Sequence, residues 1–173
     1  QKADLLPESM WRDLLEDPIE ARVASVDQHE RVMAEKGQRL IDHIRGMIGD
    51  APVDINVFEA KPGQPLGYYQ GRLGKMKAVI AMATNAKDEL SIADHEGFHA
   101  LEDMVLEGRE KIIISRQLRP GATLFKRLAE KTRAYDAANG TRLTDEILSV
   151  PQEAHAYGYE FWRRGELQVD GAL

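Results

Sequence analysis

The sequence predicts an α+β domain, a small mixed sheet with helices packed on it. Three observations carry this. Apolar residues recur at mixed three- and four-residue spacings through the first fifty positions; two short runs rich in branched residues lie between positions 53 and 84; and several stretches after position 88 carry helix start and stop signals. A chain of 173 residues, 43% hydrophobic, is long enough for one domain with a substantial core. The expectation is therefore a single domain over 1–173, with an N-terminal helical segment at 1–50 and a core at 53–173.

Each element has its own reason. Leu5, Trp11, Leu14 and Leu15 form one helical group; Val26, Val32, Met33, Leu40, Ile41, Ile44, Met47 and Ile48 form a second, stopped by Gly49-Asp50-Ala51-Pro52. "VDINVFEA", Val53 to Ala60, alternates like a half-buried strand, and "KPGQPLGYYQG" reads as a turn-rich connection. Within it, Tyr68 to Arg72 reads as a hairpin tip, with cleft lining as the sharper alternative. "KAVIAMAT", Lys77 to Thr84, is a short apolar run suited to a buried strand.

A helix should start near Asp88 or Ser91 and stop at Gly108, with Phe98, Leu101 and Val105 facing the core. "KIIIS" reads as a short strand or buried turn. "TLFKRLAEKTRAYDAANG" is a helix closed by Asn139-Gly140. The last helix, "SVPQEAHAYGYEFWRRG", has Ser149 as expected N-cap, Pro151 in its first turn and Gly165 as its stop.

Composition limits the function classes. The longest uncharged run, Pro62 to Gly71, is ten residues and full of Gly, Pro and Gln, so no membrane span is expected. With no basic, apolar leader in view and no cysteine, a soluble, cytoplasmic setting is favoured. The chain begins at Gln1, in keeping with a processed product or a domain of something longer. Without cysteine, any transition-metal site must use His, Asp, Glu and water. The net charge is −6, yet positions 109–142 hold nine Lys or Arg against three acids, a local +6 that leaves −12 elsewhere. A solvated helical face explains that better than nucleic-acid binding, because the cations are dispersed and lack interleaved aromatics.

The stretch that carries chemistry is "SIADHEGFHALEDMVLEG", Ser91 to Gly108. On a helix, His95 and His99 sit one above the other and can point both imidazoles at one ion. Glu96, about 100° round, can reach a water on that ion without ligating it. This is the HExxH arrangement, two zinc-binding histidines and a general base.

With its uncharged flanks Ala93, Gly97, Phe98 and Ala100 and the apolar Leu101, "IADHEGFHAL" resembles the extended zincin metallopeptidase signature. The "KAVIAMAT" strand is similar to the zincin edge strand that holds extended peptides. The likeness covers Val53 to Gly108 and one later helix. It implies a zincin-like fold with an active-site helix and a C-terminal ligand helix.

For the third ligand, metzincin spacing would need Gly at 102 and His at 105, where this chain has Glu102 and Val105. Thermolysin-like spacing would need an acid near 119, and none lies between Lys111 and Ala129. "PQEAHAYGYE" resembles the Glu-bearing helix of gluzincins, which makes Glu153 the implied third ligand, with His155 and Asp145 as alternatives. Glu153 and His155 lie about 200° apart on a helix, so only one of them can serve. Glu102 could orient a ligand histidine.

The implied activity is zinc-dependent peptide-bond hydrolysis, endopeptidase before exopeptidase. Glu96 is the base, Tyr157 the guess for an oxyanion donor with an Arg or His as open alternatives, and an extended peptide adds along Ala78 to Thr84. Zn2+ is the expected cofactor. The rival expectation is a catalytically silent binding or structural module within a larger phage or mobile-element type protein, touching nucleic acid through 109–142. His29 and His43 read as solvated, and Tyr159, Phe161 and Trp162 as core.

Overall fold

The computed structural model describes residues 19–170. The group Leu5, Trp11, Leu14 and Leu15 lies outside them. The described chain is mixed α+β, with six helices and a three-stranded sheet. None of these helices is long and apolar enough to cross a membrane.

Helix α1 (Ile19–Ile48) buries Leu40, Ile44 and Ile48, spaced four apart on one face. It ends at Gly49, whose φ of 60° is the left-handed conformation that glycine adopts without penalty. Arg45 then donates to the carbonyls of Gly49, Ala51 and Val53, fixing the path from helix to sheet.

The strands are β1 (Val53–Phe58), β2 (Gly67–Gln70) and β3 (Ala78–Ala83), in spatial order β1-β3-β2. β3 pairs parallel with β1 and antiparallel with β2, so it is central. That corrects the expectation of an edge strand along Ala78 to Thr84: both of its edges are taken. Ala78, Ile80, Ala81, Met82 and Ala83 are buried, which is why the run reads as continuously apolar. Among the described residues the unpaired edges are those of β1 and β2, and β2 lies inside the stretch read as a turn-rich connection.

Helix α2 (Glu89–Met104) lies against α1 and the sheet. Asp88 occupies its N-cap position without a side-chain cap bond. The helix ends well before Gly108, which instead opens α3 (Gly108–Gln117). Thus "KIIIS" is helical, started by a reciprocal Glu107/Glu110 capping box. Ile112 and Ile113 are exposed, as is Val105, which was expected in the core.

Helix α4 (Thr123–Asn139) is closed by Gly140 at φ 68°. A short α5 (Leu143–Ser149) follows, then α6 (Pro151–Arg163) with Pro151 in its first turn and Gly165 just beyond its end. Ser149 is not the N-cap of α6: that position is Val150, and the Ser149 hydroxyl donates to the Asp145 carbonyl within α5.

Two cores result. One joins α1, the sheet and α2; the other joins α4, α5 and α6 through Leu118, Phe125, Leu128, Ile147 and Phe161. Helices α2 and α6 lock the two together antiparallel, in four-residue steps. Asp94 lies 3.8 Å from Arg163, the Phe98 and Tyr159 rings stack at 4.9 Å, and Glu102 meets His155 at 2.7 Å. The face of α2 beside this ladder carries the histidines.

Candidate metal centre

His95 and His99 project from consecutive turns of α2 towards Glu153 in the first turn of α6. His95 Nε2 lies 3.0 Å from Glu153 Oε2 and 3.2 Å from His99 Nε2, and His99 Nε2 lies 3.3 Å from Glu153 Oε1. One donor atom from each residue can be taken so that all lie within 4.8 Å of one another.

Two imidazole nitrogens 3.2 Å apart need something between them, a proton or a cation. Tetrahedral ligands about 2.0–2.1 Å from zinc sit about 3.3 Å from one another, close to the spacings found here. The donor set, two nitrogens and a carboxylate, also suits zinc. The three residues fit such an ion.

The charges are arranged around that point. Burial lowers the pKa of His95, but the Glu153 and Glu160 carboxylates outweigh it and hold the ring up at about 9. Glu153 is driven well below the ordinary carboxylate range by His95 and His99. Glu96 is pushed up by burial, against the pull of the two imidazoles.

Glu160 has a contact with His95 that sequence reasoning missed. His95 Nδ1 lies 3.2 Å from its Oε2, and Arg164 donates to its other oxygen at 3.2 Å. A carboxylate on Nδ1 fixes the proton there and leaves Nε2 free for a cation. The only signal was spacing: seven residues after Glu153, Glu160 shares its helix face.

His95, Glu96, His99, Glu153 and Tyr157 all line one cleft of about 590 Å3, together with Gly67, Tyr68 and Tyr69 of β2. Tyr68 to Arg72 is therefore not a hairpin tip. Gly67 is where the strand approaches Glu96, since a Cβ there would stand 3.1 Å from Glu96 Oε1. The Tyr69 ring stacks on His99 at 6.4 Å, and its hydroxyl donates to Asp103 at 2.6 Å.

β2, whose outer edge is unpaired among the described residues, lines this cleft with Gly67, Tyr68 and Tyr69. Ala83 N donates to Leu66 O, so by antiparallel alternation Tyr68 and Gln70 point their backbone groups at β3. Those of Gly67 and Tyr69 point away from it.

Tyr157 packs its ring 4.2 Å from that of His95, and its hydroxyl donates to Glu146 Oε2 at 2.8 Å. Burial, with Glu146 next, pushes its pKa well above the ordinary phenol value. It is neutral throughout the physiological range.

Other expected residues lie elsewhere. His155 is buried on the far side of α6 with Nδ1 bonded to Glu102, so it is no ligand. Glu102 consequently orients His155 rather than His95 or His99, and its Oε2 is buried without a partner among the described residues. Asp145 is exposed on α5, outside the cleft lining. His43 is not free in solvent: its Nε2 lies 2.7 Å from Asp94 Oδ1, whereas His29 is exposed. Trp162 is exposed at 42%, against the expectation of core packing. The cations of 109–142 are spread over α3, α4 and the segments flanking them, and Arg127 pairs with Asp170.

No family model, no curated protein and no solved structure matches this chain.

Proposed function

We propose that the chain is a zinc-dependent peptidase of the zincin type, gluzincin-like in drawing its third ligand, Glu153, from a later helix. The observation that carries the reading is the convergence of His95 Nε2, His99 Nε2 and the Glu153 carboxylate in one cleft with Glu96, beside a free strand edge. When bound, zinc supplies Lewis acidity, acidifying water and polarising the scissile carbonyl.

The chain's own residues do the rest. Glu160 holds His95 in the ligating tautomer. Glu96, with its raised pKa, takes a proton from the attacking water and delivers it to the leaving amine. Gly67 and Tyr69 offer backbone groups to an extended peptide, a role that moves from β3 to β2. Tyr157 is positioned to donate to the developing oxyanion once its single proton leaves Glu146.

The test is Glu96→Gln assayed beside wild type on unstructured peptides, with zinc content measured in both. The proposal expects unchanged zinc and cleavage reduced by at least about a hundredfold. Undiminished cleavage would remove Glu96 from its role.

A further inference from the structure

We infer that Glu146 selects the substrate: it receives a Lys or Arg side chain of the bound peptide beside the scissile bond and thereby releases the Tyr157 hydroxyl. The inference rests on the peptidase reading above and names the substrate class for that site.

Glu146 stands on a fixed element. Asp136 of α4 accepts from the backbone N–H groups of Leu143 and Thr144 at 2.8 and 2.9 Å, Thr144 donates to Thr132 at 3.0 Å, and Ile147 is buried. Seven residues would not hold a helix in water alone. These contacts anchor α5 so that Glu146 faces the cleft shared with His95, Glu96 and Glu153.

The charge balance there is one-sided. Among the described residues no Lys or Arg lines the cleft and Glu146 forms no ion pair, its hydrogen-bond donor being the neutral Tyr157. With a divalent cation bound, Glu153, Glu96 and Glu146 still leave a net −1. A neighbouring pocket that shares Tyr69, His99 and Gln152 with the cleft is lined also by Glu102 and Asp103, with Lys111 its one cation among the described residues. A cationic side chain is attracted to these carboxylates, and an acidic one is repelled.

The hydroxyl count couples recognition to chemistry. Tyrosine has one O–H, and here Glu146 accepts it. An ammonium or guanidinium on Glu146 makes a stronger, charge-assisted bond with the carboxylate and, by neutralising it, weakens its hold on the Tyr157 proton. Tyr157 can then turn its proton to the substrate oxyanion. A basic residue therefore improves both binding and turnover.

The experiment uses zinc-loaded Glu96→Gln protein and fluorescent peptides of one sequence carrying Lys, Gln or Glu at successive positions. At one position the Lys peptide should bind at least about fivefold tighter than its Gln counterpart, the preference weakening with salt. Glu146→Gln should erase that preference and Glu146→Lys should reverse it. In cleavage by otherwise wild-type protein, Tyr157→Phe should keep the preference in KM and lose it in kcat. Equal binding of all three peptides, or a preference that survives Glu146→Gln, overturns the inference. Cleavage without charge selectivity overturns it too, while leaving the peptidase reading standing. Charge-selective binding that Glu146→Gln erases, with no cleavage by wild type, sinks the peptidase reading and supports recognition by Glu146.

Discussion

Replacing Gly67 by alanine tests how β2 and Glu96, the proposed general base, are fitted together. The added Cβ would stand 2.7 Å from Ile92 Cγ2, 3.0 Å from Glu96 Cγ and 3.1 Å from Glu96 Oε1. Ordinary carbon contacts fall at about 3.5–4.0 Å, so the overlap with Ile92 is roughly 1 Å. Ile92 is β-branched on a helix and holds one rotamer, so it cannot swing aside. What gives is the strand, by up to about 1 Å, and the Glu96 side chain.

Overpacking of this kind costs about 1–3 kcal/mol, which for a chain of this size lowers Tm by roughly 3–10 °C. Displacing a catalytic group by about 1 Å lowers turnover by up to about a hundredfold. The assay is kcat on a peptide substrate beside zinc content and a melting curve. The expected result is a folded, fully zinc-loaded variant whose kcat falls at least about tenfold. Wild-type kcat in Gly67→Ala would refute the placement of Glu96 against β2.

Other perturbations follow from single contacts. Glu160→Gln removes the charge beside His95 Nδ1 and should weaken zinc affinity by about tenfold or more in a chelator competition while the fold is kept. Asp136→Ala strips the cap from α5 and should destabilise the chain by about 1 kcal/mol in urea. For Asp136, burial acts to raise the pKa, but hydrogen bonds from Thr141, Thr144 and Leu143 outweigh it and hold the carboxyl at about 2. Its folded value is therefore depressed, so the stability it contributes is full above about pH 4 and is lost as pH falls towards 2. The wild-type advantage over Asp136→Ala should close across that window, and an advantage unchanged at pH 2 would contradict the assignment. Ile44→Ala empties a fully buried position between α1 and α2, next to Gly97, and should cost about 2–5 kcal/mol by denaturant unfolding.

The sequence displayed what local chemistry decides. The stop of α1 at Gly49, the closure of α4 at Gly140 and the placing of His95 and His99 on consecutive turns of one helix each depend on a few neighbouring residues, and each is found as read. Glu153 was legible as a candidate because its helix is amphipathic and acidic at its start.

What was illegible depends on contacts between distant segments. β2 is four residues long and, among the described residues, hydrogen-bonded on one side only, so its order comes from β3 and not from its own Gly- and Gln-rich sequence. α5 is capped by Asp136, seven and eight residues before the amides it binds, and carries no cap of its own. The branched run in α3 reads as a strand until the Glu107/Glu110 box is recognised as a start signal. Glu160 and Glu102 differ in surroundings because α2 and α6 run antiparallel, which brings one to His95 and the other to His155.

The most direct measurement is the zinc content of purified wild-type protein resupplied with the metal, beside Glu153→Ala and Asp145→Ala. The account predicts about one zinc per chain in wild type and Asp145→Ala, and its loss in Glu153→Ala. A wild-type protein that holds no zinc, or a Glu153→Ala protein that holds it as wild type does, would contradict the metal centre.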